Sequence, residues 1–258
     1  MLTIIAQKIA KELMPHGFAR RLLLAKERKE AHERRASFYQ KFLEENDLVF
    51  DVGANVGERT SALLAVGCRV VAIEPQPDCC KKLRNLEARN GRLTVLQVAC
   101  GRAEGSANLR TGGGGDVLAS LSNDYIQQVK ASGRFARHEW KETVPVSLCS
   151  LDMLINRYGV PKYIKIDVEG YELEVFAGMT ANPAILSFEY TPETAQAMIQ
   201  CLEHCERLGL KEFNISWGES MRFSLDQWVT IGRMRELVQI LGGDSYLFGD
   251  IFARRQSK

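Results

Sequence analysis

The sequence predicts an α/β protein built on a doubly wound, mostly parallel seven-stranded sheet, with a helical extension at its N-terminus. Three observations carry this. Leu48-Val49-Phe50-Asp51-Val52 is a short apolar run of the kind buried on both faces of a parallel sheet, and Gly53 and Gly57 turn it directly into a helix starting at Glu58. A second such run, Arg69-Val70-Val71-Ala72-Ile73, ends on an acid, Glu74. From there to the end, strand-like and helix-like segments alternate, as in βα units rather than hairpins.

Taken in order, Leu2, Ile5, Ile9 and Leu13 recur at helical spacing until Pro15-His16-Gly17 interrupts them, and a second helical stretch spans 18–45. The first 45 residues carry ten Lys/Arg and six Glu, and they read as a basic extension packed on a domain spanning 46–258. A cap over the site, or a partner or membrane-surface helix, is the sharper alternative and is not favoured. Pro75-Gln76-Pro77 leads into a helix over 78–90, with Asp78 as N-cap and Gly91 as C-cap. Leu93 to Val98 is the third strand, and Gly105 to Leu109 a short extra one. Thr111-Gly112-Gly113-Gly114-Gly115-Asp116 reads as a flexible connection, since no Lys-Ser/Thr follows it to make a phosphate loop. Residues 116–145 are the least regular part, with a helical piece near 125–130. They read as a lid or substrate loop, with disorder as the competing view. Ser150 caps a helix over 151–158. Tyr163 to Asp167 is the fourth strand and Ala184 to Glu189 the fifth, followed by helices from Tyr171 and, capped by Thr191, from Pro192. Glu212 to Ile215 and Tyr246 to Phe252 are candidate last strands, the final one open to an antiparallel direction.

The first turn and Glu74 define a nucleoside site. The glycine turn leaves backbone N–H groups at a helix N-terminus, and an acid about 20 residues on can accept both hydroxyls of a ribose. A dinucleotide fold needs a second glycine where Asn55 stands, so that the backbone can touch a pyrophosphate. Asp51, just ahead of the turn, would repel a diphosphate and suit a cation. S-adenosylmethionine (SAM) has a ribose, an ammonium and no phosphate, and it fits these residues better than NAD. Ala99, after the third strand, lies where apolar walls and backbone groups would hold the adenine.

Lys165-Ile166-Asp167-Val168-Glu169-Gly170 is the second dense stretch. Lys165, Asp167 and Glu169 share a direction along the strand, and Asp167 falls at its carboxyl end, where ligands bind in such sheets. These three are the candidate catalytic group, for proton transfer or, less favoured, to hold a divalent ion. Glu172 and Glu174 are expected to face solvent. His138 is a weaker base candidate. Cys201, His204 and Cys205 share one helix face, but no fourth zinc ligand is visible and core packing is preferred.

Asp51-Val52-Gly53-Ala54-Asn55-Val56-Gly57, Glu74-Pro75, Ala119-Ser120-Leu121 and Lys165 to Gly170 together resemble the FkbM-type SAM-dependent methyltransferases, over roughly residues 45–190. The resemblance implies a Rossmann-like class I methyltransferase fold and O-methylation of a hydroxyl on a sugar, glycan or secondary metabolite. The cofactor contacts then expected are Asp51, Gly53, Ala54, Asn55, Gly57, Thr60, Glu74, Ala99 and Ser120. The catalytic group is Asp167, Glu169 and Lys165, and no metal ligands are assigned. The alternatives are a SAM-fold interaction module without turnover and a nicotinamide-dependent oxidoreductase.

Composition narrows the setting. The net charge of +2 gives no indication of a nucleic-acid partner. No run of 18 apolar residues is present, and Lys8 and Lys11 interrupt the N-terminal apolar stretch, against a secretory signal. Seven scattered cysteines suit reduced thiols in a cytoplasm.

Overall fold

The computed structural model describes residues 18–135, 137–241 and 247–256. The apolar stripe from Leu2 to Leu13 lies outside them, as does Tyr246. Helix α1 (Phe18–Tyr39) precedes β1 (Leu48–Val52), α2 (Glu58–Val66), β2 (Arg69–Ile73), α3 (Pro77–Glu87) and β3 (Leu93–Leu96). Then come β4 (Ala99–Cys100), β5 (Gly105–Thr111), α4 (Asn123–Ser132), β6 (Glu142–Cys149) and α5 (Leu151–Tyr158). The chain closes with β7 (Tyr163–Ile166), α6 (Glu172–Ala177), β8 (Ile185–Tyr190), α7 (Ala195–Arg207), β9 (Glu212–Trp217), α8 (Ile231–Leu241) and β10 (Gly249–Arg254).

Seven strands form the main sheet in the order β3-β2-β1-β7-β8-β10-β9. The pairs from β3 to β8 are parallel, and β10 runs antiparallel to both β8 and β9. The strand order reverses beside β1, so the carboxyl ends of β1 and β7 flank the crevice where such sheets bind ligands. All five residues of β1 are buried, because helices cover both faces. Leu48, Phe50 and Val52 pack on one side with α5, α6 and α7. Val49 packs on the other, in a core that also holds Phe38 and Tyr39 of α1. Phe38 and Phe42 make edge-on contacts with Phe252, and Tyr163 stacks on it with centroids 6.3 Å apart, so the end of α1 is part of the core. The charged middle of α1 is exposed and laced by Lys26–Glu30 and Lys29–Glu33 pairs.

The structure corrects several boundaries. Gln76, not Asp78, is the N-cap of α3, with Pro77 at its first position, and the helix ends at Ala88 before reaching Gly91. Thr191 leads into a 3-10 turn, Pro192–Thr194, and the α-helix begins at Ala195. The expected extra strand is β5, which pairs antiparallel with β6, and β4 joins β6 on its other side; within 116–145 the expected helical piece is α4, capped by Ser122, whose side chain accepts from Tyr125 N. The glycine run is pinned rather than loose. Asp116 Oδ2 accepts from Gly112 N at 2.7 Å and Oδ1 from Leu118 N at 3.0 Å.

Candidate active site

A cleft of about 490 Å³ opens at the carboxyl ends of β1, β2 and β7. One wall is the β1–α2 turn. Gly53 sits at φ +81°, and a Cβ there would lie 1.7 Å from the Asp167 carbonyl oxygen, so only glycine lets the two strand ends approach this closely. Asn55 is held at φ +47°: its N–H donates to Glu74 Oε2 at 2.7 Å, and its side-chain amide donates to the Asp116 carbonyl at 3.2 Å. Glu74 is 2% exposed, and its Oε1 accepts from Gln76 N at 2.8 Å. Burial pushes its pKa up to about 7, while the N–H groups of Gln76 and Asn55 pull it back. Val98, Ala99, Cys100 and Leu109 give the neighbouring wall apolar character.

The opposite end carries acids. Asp167 follows β7, and its Oδ2 receives the Lys165 ammonium at 2.5 Å. Burial pulls the Lys165 pKa down, but Asp167, Asp250 and Asp51 together outweigh this and hold it above the usual lysine range. Glu169 accepts from the Tyr125 hydroxyl at 2.5 Å. Burial and then the charge of Asp167 raise its pKa to about 8. Glu189, at the end of β8, is raised by burial and by Glu169 and Asp167. One oxygen from each of Asp167, Glu169 and Glu189 lies within 4.8 Å of the others, the one such group of three among the described residues. Two of the three already receive hydrogen donors, one from an ammonium whose charge opposes a metal ion.

Of the expected contacts, Gly53, Ala54, Asn55, Glu74 and Ala99 line the cleft together with Lys165, Asp167 and Glu169. Asp51, Gly57, Thr60 and Ser120 stand behind that lining. Asp51 is fully buried, and its Oδ2 accepts from Thr60 Oγ1 at 2.6 Å beneath the turn. Gly57 is the left-handed N-cap of α2. Ser120 Oγ donates to the Glu169 carbonyl at 2.6 Å, while its neighbours Ala119 and Leu121 reach the cleft.

Glu172 does not face solvent. It is 2% exposed and accepts from Val168 N and Gly170 N, tying down the turn before α6. Glu174 pairs with Arg102 near the surface. His138 bonds to Asp116 Oδ2 at 3.0 Å and so braces the loop. Cys201 and Cys205 are buried in the core, and His204 Nε2 bonds to the Met179 carbonyl. Sequence reasoning missed Gln76, Asp116, Tyr125 and Glu189. Only Glu189 carried a signal, an acid at the end of a predicted strand.

A seven-stranded sheet with an antiparallel last-strand insertion, a glycine turn after β1 and an acid ending β2 define the class I methyltransferase fold. Residues 51–208, more than half of the chain, match the model of the methyltransferase FkbM domain, and the chain belongs to that family. It is 28% identical over 140 residues to the hexuronic acid methyltransferase AglP of Haloferax volcanii, covering 53% of this chain and 52% of that protein. The chain thus matches about half the length of this relative. Among solved structures it is similar to a precorrin-6Y C5,15-methyltransferase of Geobacter metallireducens, at 11% identity and a TM-score of 0.44, covering 86% of this chain and 87% of that one. A putative RNA methyltransferase of Pyrococcus horikoshii gives 11% identity and a TM-score of 0.41, over 88% and 85% of the two chains. No described helix is long and apolar enough to cross a membrane.

Proposed function

We propose that the cleft binds SAM and that the chain transfers its methyl group to a hydroxyl of a small-molecule or glycan acceptor. The observation that carries this is one cleft bringing a buried carboxylate suited to a ribose diol, Glu74, within the same walls as Asp167 and Glu169. Glu74 would accept the ribose hydroxyls, the Gly53–Asn55 turn would face the amino-acid end, and Val98 and Ala99 would flank the adenine. The bound cofactor supplies a methyl group already activated on a sulfonium. What remains for the protein is to place the acceptor oxygen in line and to take its proton, and the carboxylates at the end of β7 would serve that second task.

Asp167, Glu169 and Glu189 would face the hydroxyl groups of the acceptor. We assign these carboxylates to the acceptor and its proton, not to an ion. Seven buried free cysteines suit a reducing cytoplasm. The test is transfer of labelled methyl from SAM to a panel of neutral, amino and uronic sugars, glycolipids and polyketide alcohols, with and without magnesium. Binding of SAM without transfer to any of them would favour a non-catalytic module, and binding of NAD(H) in place of SAM an oxidoreductase.

A further inference from the structure

The insertion between β5 and β6 reaches back into the proposed catalytic group. Tyr125, on α4, is buried in a small core with Ile126, Val129 and Trp140. Its hydroxyl donates to Glu169 Oε2 at 2.5 Å, and Ser120 Oγ donates to the Glu169 carbonyl at 2.6 Å. Glu169 itself sits at φ +54°, a conformation that a non-glycine residue keeps only when its neighbours over-determine it. The next residue, Gly170, is at φ +84° with the Tyr125 ring against it, and a Cβ there would lie 2.4 Å from Tyr125 Cβ and Cγ. From beneath, Glu172 accepts the N–H groups of Val168 and Gly170. Side chain, carbonyl and backbone of this one turn are therefore each fixed by a separate contact, and two of those contacts come from outside the main sheet.

Asp167 is placed differently. The Lys165 ammonium occupies its Oδ2. Glu169 receives a neutral phenol instead and lies among other acids.

We infer that Glu169 is the group that takes the acceptor's hydroxyl proton, and that Tyr125 and Ser120 are positioning residues, Tyr125 aiming its carboxylate and Ser120 holding the backbone of its turn. This deepens the methyltransferase reading and rests on it. As the acceptor oxygen gains the methyl group and the sulfur keeps the electron pair of the broken C–S bond, the hydroxyl proton passes to the Glu169 carboxylate. The groups facing Glu169 are Asp167 and Lys165 from the end of β7, Tyr125 from α4, Glu172 from α6 and Glu189 from β8. Burial and the acids raise its pKa to about 8, and the Tyr125 hydroxyl opposes them.

The test does not depend on knowing the acceptor. In full-length protein carrying ¹³C at its glutamate carboxyls, the Glu169 resonance is identified by its loss in Glu169→Gln. Tyr125→Phe removes one hydroxyl, and the Glu169 midpoint should move up by about one pH unit. Affinity for S-adenosylhomocysteine should stay within about twofold by calorimetry. An unmoved midpoint overturns the role of Tyr125. If Tyr125→Phe does not fold, wild-type protein still decides: a hydroxyl proton in so short a bond gives a downfield resonance that Glu169→Gln abolishes, and its absence from wild type overturns the contact. With an acceptor from the panel, Glu169→Gln should lower kcat by roughly 100-fold or more at unchanged KM for SAM, and a retained kcat overturns Glu169 as the base. Transfer with an unmoved midpoint removes Tyr125 alone, whereas a shifted midpoint with no transfer to any acceptor removes the methyltransferase reading and leaves the contact standing.

Discussion

Glu74→Gln probes the cleft most directly. Glu74 is 2% exposed and each of its oxygens accepts one backbone N–H, from Asn55 at 2.7 Å and from Gln76 at 2.8 Å. A carboxylate oxygen has two lone-pair sites, so a single side chain can hold the turn and still accept from a ribose hydroxyl. Glutamine keeps the shape but puts an NH₂ where one acceptor was. One charge-assisted bond to the ligand is lost, on the order of 1.5–3 kcal/mol, which is roughly a 10- to 150-fold loss of affinity. The backbone N–H left facing that NH₂ costs about 1–3 kcal/mol of stability whether or not ligand is present. Calorimetry with S-adenosylhomocysteine reads the first effect and thermal unfolding of the free protein the second. The pH dependence separates them further. Burial has pushed the Glu74 pKa up to about 7, and the diol donates to the ionised form. Wild-type affinity should therefore fall as pH drops below about 7, approaching tenfold per unit, and the glutamine variant should be flat. Equal affinity and equal pH dependence in the two proteins would refute the placement of the ribose on Glu74.

Four further outcomes follow from the same geometry. Gly53→Ala puts a methyl 1.7 Å from the Asp167 carbonyl at a positive φ, and we expect a loss of roughly 3 kcal/mol or more in urea unfolding; a variant as stable as wild type would contradict the close approach. Glu172 has its carboxyl pKa raised by burial from 4.5 to about 7, so its contribution to stability is complete below pH 4.5 and is lost as pH rises through 7. Glu172→Gln escapes that loss, and its Tm relative to wild type should be higher at pH 8 than at pH 5; identical profiles would show that this carboxyl is not desolvated. Thr60→Val removes the donor 2.6 Å from Asp51, whose Oδ1 has no hydrogen-bond partner, and should cost about 1–3 kcal/mol that Thr60→Ser restores. EDTA should leave methyl transfer undiminished, and activity lost to EDTA and regained with magnesium would return the three carboxylates to a metal.

The parts of the site visible in the sequence are those made by neighbours in the chain. A five-residue apolar run followed by Gly53 and Gly57 can hardly be anything but strand, turn and helix, and an acid ending the next strand must fall at the same edge of the sheet. Glu172 was misread for a local reason: an acid in the first turn of a helix ordinarily serves the helix dipole from solvent. Here the preceding turn has two N–H groups, of Val168 and Gly170, that need acceptors inside the protein, and Glu172 supplies them. The glycine run misled in the opposite way. Glycines allow many conformations, but Gly113, Gly114 and Gly115 all take positive φ here, and Asp116 ends up giving its carbonyl to Asn55 and Gln76. That contact spans 61 residues for Asn55, and the one from Tyr125 to Glu169 spans 44, so no local spacing could announce either. Both come from the insertion that carries the least pattern, and both act on groups that the pattern had already marked. The division has a physical basis: the sheet fixes where the carboxylates stand, while the insertion adds the contacts that hold Asn55, Gln76 and Glu169. A relative could keep β1, β2 and β7 and still differ in pH dependence, simply by changing what lies at the position of Tyr125.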